Sequence, residues 1–311
     1  MENEFIGWLR SELVTTSAKD SPVSVSIGDD AAVLRPLPNG MVVTTDLLSD
    51  GLHFELDRHG AFLAGRKSLA VNLSDIAAMA CRPAGAVVSL LLPKIDAKAI
   101  AIECMRGIQA LASEFACPII GGDTNVGGQQ LVISVTAFGI PLSDRAPLLR
   151  STARAGDWIL VTGPLGGSIL GHHLNFVPRV REAETLHSRF QLTAGMDISD
   201  GLALDLSRLA EASGVGAELW LENVPISDDA NLLSQRSGKP ALQHALGDGE
   251  DFELLLTASP SDAEQIMRTQ PLDSPIYHVG MMFAESGLFA VDANGIRRNL
   301  APTGFQHGAT S

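Results

Sequence analysis

Basic residues are scarce: 22 Lys and Arg stand against 36 Asp and Glu in 311 residues, a formal charge of −14. A positive field wide enough to grip duplex DNA or anionic lipid is therefore missing. Cysteine is scarce too. Cys81, Cys104 and Cys117 are odd in number, lack CxxC spacing and sit in apolar stretches, so they read as buried free thiols rather than a redox or zinc set. The 8 histidines form no HExxH pattern, and adjacent His172 and His173 would point to different faces of a helix, which argues against zinc. No window approaches the roughly 18 uninterrupted apolar residues of a membrane span. The nearest, Leu131–Ile140, contains Ser134 and Thr136. The opening Met1-Glu2-Asn3-Glu4 lacks the basic and apolar regions of a secretory signal. These absences point to a cytoplasmic protein with neither nucleic-acid nor membrane partners. Also missing are a GxxxxGK[ST] P-loop, a GxGxxG fingerprint, the HRD and DFG motifs of protein kinases and a GxSxG elbow.

What remains is a chain that is 45% apolar and 19% charged, long enough for two domains with sizeable cores. The first half reads as mixed α/β. Phe5, Ile6, Leu9 and Leu13 share a helical face, Met41–Thr45 is a short strand ending at Asp46, and Ala61–Ala80 is a long buried helix. Gly85–Leu92 is a strand and Ala97–Phe115 a helix; Cys117–Ile120 and Leu131–Gly139 are strands joined through a polar turn at Gly121–Gly128. Composition changes between Pro141 and Ala155, which divides the chain into residues 1–145 and 146–311. The second half has strands at Trp158–Thr162, Ala217–Leu221, Phe252–Thr257, Ile276–Gly280 and Leu288–Val291. Helices are expected at Ser168–Asn175, Leu202–Ser213 and Asp262–Arg268.

Carboxylates gather where apolar runs end: Asp29-Asp30, Asp46, Asp123 after Gly121-Gly122, and Asp197-Ile198-Ser199-Asp200-Gly201. Open α/β architectures collect ligands at strand ends. Carboxylates packed together repel one another and raise each other's pKa, and oxygen-only ligand sets suit Mg²⁺ or Mn²⁺. Each Asp-Gly pair alone is equally a turn; together they favour a metal–phosphate site for a nucleotide polyphosphate. Ser68, Asn72 and Asp75 form one stripe of the Ala61–Ala80 helix, either a ligand set or a solvent-facing stripe. Gly163–Ser168, between a strand and a helix, is either an anion site or an ordinary turn.

The ordered series Gly28-Asp29-Asp30-Ala31-Ala32-Val33, Thr44-Thr45-Asp46, His53-Phe54, Val71–Met79, Gly121-Gly122-Asp123-Thr124, Asp197–Leu202 and Gly249–Leu254 resembles the thiamine-monophosphate kinase family of the PurM-like superfamily. The resemblance implies a two-domain α/β (α+β) fold. Its N-terminal mixed sheet, carrying helices, would pair into a barrel in a homodimer, and an α/β domain would follow. It implies magnesium-dependent transfer of the ATP γ-phosphoryl group onto thiamine monophosphate, with several Mg²⁺ ions held by Asp30, Thr44, Thr45, Asp46, Asp75, Asp123, Asp197 and Asp200. Gly122, Asp123, Arg150 and Ser199 would contact ATP, while His53, Glu250 and Phe305 would contact thiamine monophosphate. No covalent nucleophile is implied. The chain departs from the family at Phe252, often Tyr, at Ala80, often Gly, and at Gly167, near which the family has an Asp. Rival readings are another PurM-like ATP-dependent synthetase, a metal-dependent phosphohydrolase, and a non-catalytic nucleotide-binding module.

Overall fold

The computed structural model describes residues 22–25, 33–35, 40–142 and 145–305. Asp30 and the helix expected around Phe5–Leu13 lie outside the described residues. The chain divides into two compact units, Met1–Ile76 with Cys81–Ala146, and Ala77–Ala80 with Pro147–Ser311.

The first unit carries a small antiparallel pair, β1 (Val23–Val25) and β2 (Val33–Leu34), and a four-stranded mixed sheet. The sheet runs in the order β3 (Val42–Ser49), β6 (Val132–Pro141), β4 (Cys81–Pro93) and β5 (Ile119–Gly128). All pairs are antiparallel except β4 with β5, which are joined through the helix α2 (Ala97–Glu114). The helix α1 (Leu56–Ala78) is interrupted near its start by Gly60 at φ 77°. Side chains alternate along a strand, so each strand offers one face to the core and one away from it. Leu48, Val88, Leu90, Ile133, Val135 and Ala137 are buried, as are Leu69, Leu73 and Ile76 of α1 and Ile108 and Leu111 of α2. The other face is open and shows Val43 (56% exposed), Leu47 (59%) and Leu91 (41%).

Two expectations are corrected here. The strand beginning near Met41 does not end at Asp46. It continues to Ser49, with Asp46 opposite Val135 and Ser49 opposite Val132 on β6. Gly121–Gly128 is strand rather than turn, because β4 offers it a parallel ladder from Val87↔Gly121 to Pro93↔Gly128. Gly122 fits only as glycine: a Cβ there would lie 2.0 Å from the Val88 carbonyl oxygen.

In the second unit a seven-stranded sheet runs β13 (Arg297–Asn299), β12 (Gly287–Val291), β9 (Gly216–Trp220), β11 (Ile276–Phe283), β7 (Trp158–Thr162), β10 (Leu254–Ala258) and β8 (Leu192–Asp197). Only β12 and β9 are parallel within it. Its core includes Ile159, Val161, Met196, Leu255 and Met282 from strands, and Leu206 and Leu209 from a helix. The helices are α3 (His172–Asn175), α4 (Val180–Arg189), α5 (Leu202–Ser213), α6 (Asp228–Ser237), α7 (Ala241–Gly247) and α8 (Pro260–Thr269). The bounds of α5 match the sequence expectation. The expected helix Ser168–Asn175 is instead a 3₁₀ turn, Ser168–Leu170, and the short α3, broken at Gly171 by a φ of 138° that no helix accommodates.

Candidate active site

In the first unit, alternation along β3 puts Thr44, Asp46 and buried Leu48 on the core face, and Val43, Thr45 and Leu47 on the open face. Thr44 Oγ1 donates a short hydrogen bond to Asp75 Oδ2 on α1, which joins strand and helix through the expected ligands. Oδ2 of Asp46 is buried with no hydrogen-bond partner. Burial, and then the charge of Asp75, push the Asp46 carboxyl up to about 6. The α1 stripe is not a solvent-facing one: Ser68 and Asn72 are buried and Asp75 is half-buried. Asn72 Nδ2 donates to the Ser68 carbonyl at 3.0 Å, and Asn72 Oδ1 is another buried oxygen without a partner.

Other expected ligands stand apart from this group. Thr45 is on the open face, its Oγ1 2.9 Å from Thr136 Oγ1. Asp123 is exposed on β5, at the far edge of the sheet from β3, and accepts from Asn125 Nδ2 at 2.8 Å. Gly122 precedes it on the same strand. His53 lies just beyond β3, with Nδ1 accepting from the Ser49 amide at 3.1 Å.

In the second unit, β8 ends at buried Asp197, and the turn Ile198–Gly201 leads into α5. Asp205, fully buried on the first turn of α5, accepts from the amides of Asp200 (2.9 Å) and Gly201 (3.1 Å). Burial pushes the Asp205 carboxyl up to about 6, against the pull of the Asp200 amide and of Arg208. Arg208 bridges the Asp205 and Asp200 carboxylates, reaching Asp205 at 3.0 Å. The segment Gly249–Glu253 folds back on this turn: the Glu250 amide donates to the Ser199 carbonyl (2.7 Å) and the Phe252 amide to the Ile198 carbonyl (2.8 Å). That fold-back requires positive φ at Glu250 (56°) and Phe252 (51°), an arrangement that costs on the order of 1 kcal/mol or more at each non-glycine residue. The Phe305 amide donates to the Asp200 carbonyl at 2.9 Å, so Ser199, Asp200, Glu250 and Phe305 are brought together. Gly304 makes that approach possible, since a Cβ there would meet the same carbonyl at 2.5 Å. Arg150 is exposed, and its carbonyl accepts from Ser213 Oγ at 2.9 Å.

The Gly163–Ser168 loop is an ordinary turn held by the acidic segment. Its Gly166 amide donates to Asp251 Oδ1 (2.8 Å), its Gly167 amide to Asp248 Oδ2 (3.1 Å), and Ser168 Oγ to the Gly249 carbonyl (2.6 Å). Protein oxygens therefore take the donors that a phosphate would use. Beside it, Glu253 receives a two-pronged bond from Arg179, Nε at 2.7 Å and Nη2 at 2.6 Å, plus Thr162 Oγ1 at 2.6 Å. Sequence reasoning missed Arg179, Thr162 and Asp205. Asp205 left a signal, being a carboxylate four residues past Gly201 at a helix start; Arg179 lies 74 positions from Glu253 and left none.

Residues 28–141 match the family described as AIR synthase related protein, N-terminal domain, and residues 154–291 its C-terminal domain. The thiamine-monophosphate kinase of Rhodopirellula baltica is 39% identical, an alignment that covers 100% of this chain and 98% of the relative. The chain belongs to the thiamine-monophosphate kinase family. The crystal structure of thiamine-monophosphate kinase from Stenotrophomonas maltophilia K279a is 33% identical, with a TM-score of 0.78 over 92% of this chain and 95% of that one. A structure described as AaThiL complexed with AMPPCP and TMP is 26% identical, with a TM-score of 0.76 over 97% and 95% of the two chains. The fold is accordingly the two-domain PurM-like α/β fold with mixed sheets.

Against the thiamine-monophosphate kinase pattern, the departures acquire structural meaning. Ala80 stands at φ 51°, a left-handed conformation that explains glycine there. Phe252 stacks on Phe176 with ring centroids 4.1 Å apart. Gly167 donates its amide to Asp248.

A hard cation fits the first unit. Asp46 on β3 feels the like charge of Asp75 on α1, Thr44 adds a hydroxyl bonded to Asp75, and Asp46 Oδ2 is an orphaned buried oxygen. Among the described residues, no group of three or more His, Cys, Asp or Glu converges as a ready-made metal cage. The carboxylates thus offer part of a coordination shell; magnesium commonly completes its shell with water and substrate phosphate.

Proposed function

We propose that this chain is a magnesium-dependent kinase that transfers the γ-phosphoryl group of ATP to thiamine monophosphate, giving thiamine diphosphate and ADP. The observation that carries the reading is its full-length relationship to thiamine-monophosphate kinases. The orphaned oxygen of Asp46 beside Asp75 supports the demand for a cation. Asp30, Thr44, Thr45, Asp46, Asp75, Asp123, Asp197 and Asp200 would hold the Mg²⁺ ions. When bound, these supply the positive charge that lets two phosphate-bearing substrates meet on an acidic protein.

The remaining work falls to positioning. Gly122, Asp123, Arg150 and Ser199 would hold ATP; His53, Glu250 and Phe305 would hold thiamine monophosphate. The acceptor is already an ionised phosphate oxygen, so no general base and no covalent nucleophile is assigned. Residues 1–145 and 146–311 are the two domains of this reading, and the protein works in the cytoplasm without nucleic-acid or membrane partners. No helix among the described residues is long and apolar enough to cross a membrane.

A homodimer belongs to the same proposal. Among the described residues β3 and β5 are the edges of the first sheet, and its open face carries exposed Val43, Leu47 and Leu91. An apolar face between two unpaired edges favours covering by a second copy. Sedimentation equilibrium giving only monomer at micromolar concentration would remove that element.

The deciding experiment is chromatographic measurement of thiamine diphosphate and ADP from ATP and thiamine monophosphate, with Mg²⁺ and with EDTA. Equal amounts of the two products, abolished by EDTA, are expected. Phosphate release without an acceptor would instead favour a phosphohydrolase, and ATP use only with other acceptors another PurM-like synthetase.

A further inference from the structure

Lys67 lies on α1, is 1% exposed, and ranks among the largest fully buried side chains of the protein. Nothing in the reaction described above uses it. Burying an ammonium group costs several kcal/mol unless hydrogen bonds compensate. Its Nζ donates to the His53 carbonyl oxygen at 2.8 Å, reaching back 14 positions in sequence.

The segment it grips is a compact turn. The His53 amide donates to the Ser49 carbonyl at 3.1 Å, and the Gly51 amide to the Phe54 carbonyl at 2.8 Å. The Ser49 amide donates to Nδ1 of the His53 ring at 3.1 Å, so a neutral ring keeps its proton on Nε2. These bonds shape the turn internally, while the Asp50 amide, donating to the Leu131 carbonyl at 2.9 Å, the Leu56 amide, donating to Asp50 Oδ1 at 2.8 Å, and buried Phe54 hold its two ends to the sheet, the start of α1 and the core. Lys67 adds the tie at His53 itself, from the middle of α1, and a charged donor to a carbonyl is stronger than a neutral one.

We infer that Lys67 is a positioning residue for the phosphate acceptor: its buried ammonium locks the Ser49–Phe54 turn to α1 and thereby sets the place and orientation of the His53 ring. The inference rests on the reading of His53 as a contact to thiamine monophosphate. Lys67 touches no reacting atom. This tie ends on the turn that carries His53, so its loss is read first at thiamine monophosphate.

The test is steady-state kinetics of Lys67→Met. The KM for thiamine monophosphate rises about tenfold, matching loss of one charge-assisted hydrogen bond, while kcat stays within about threefold and the KM for ATP is unchanged. In a His53→Ala background the same change adds less than about twofold, since the two residues act through one contact. Hydrogen exchange of the 49–54 peptide quickens while that of the 81–93 strand does not. An unchanged KM for thiamine monophosphate overturns the inference. So does a parallel loss of kcat and both affinities with a lowered thermal midpoint, the mark of a merely structural lysine. If Lys67→Met does not fold, Lys67→Gln is judged by the same criteria. A wild-type protein that never uses thiamine monophosphate defeats the parent reading instead. The exchange experiment then still decides whether Lys67 anchors the turn.

Discussion

The two units handle negative charge in opposite ways. In the first, Asp46 and Asp75 stand together with a threonine hydroxyl, and one Asp46 oxygen has no partner. In the second, acids are more numerous but mostly answered from within. Glu253 has Arg179 and Thr162, Asp205 and Asp200 share Arg208, and Asp248 has His244 at 2.9 Å and the Gly167 amide. In the second unit these partners hold loops in place; in the first, the orphaned Asp46 oxygen is the atom the proposed reaction would offer to a cation from solution. Asp251 is the exception in the second unit. It has one buried oxygen without a partner, and a carboxyl pushed well above its usual range by burial and by neighbouring Glu253, Asp248 and Asp205, the Gly166 amide opposing.

The contrast breaks first at the metal end. Asp46→Asn or Asp75→Asn lowers turnover by about 1,000-fold or more while the metal-free thermal midpoint holds or rises, because a repulsion has been removed. Near-normal turnover in either variant would dissolve the distinction between the two acidic groups. Next in size is Arg179→Met. It leaves Glu253 buried and uncompensated, at a cost of about 3–5 kcal/mol in chemical denaturation. A loss within noise would mean that Thr162 alone suffices. The smallest effect sharpens the comparison by pH. Asp46 and Asp205 sit at about 6 in the fold against 3.8 in the free side chain. Over that interval the folded chain holds protons that the unfolded chain releases, so stability falls as pH rises through it. The thermal midpoint of the metal-free protein therefore rises when pH is lowered from about 7.5 to about 5.5, and added Mg²⁺ raises it most at the upper end. A midpoint that is flat with pH in the metal-free protein contradicts the charge assignment.

Much of this was legible in the sequence where pattern and packing agree. The α5 helix has uninterrupted periodicity from Leu202 and a glycine at its end, and its limits could be read directly. Gly121–Gly128 could not, because its glycines and Asn carry the composition of a turn while its hydrogen bonds come from β4, far away in sequence. The polar stripe Ser68, Asn72 and Asp75 left surface and interior equally open until the fold showed its first two members buried. Polar helices such as Val180–Arg189 escaped notice although Val180, Ala183 and Leu186 mark a buried face. At the site, the clustering of acids was visible, but which face each side chain takes was not. A strand that continues past Asp46 divides Thr44 from Thr45, and no composition argument sees that.

The first sheet has a practical consequence for anyone wishing to dissect the molecule. A fragment ending before Pro147 would keep, among the described residues, the two sheet edges β3 and β5 and the greasy surface between them, the arrangement that invites runaway strand addition when left uncovered. Ligand studies on such a half therefore start from a check that it has paired as a dimer rather than aggregated.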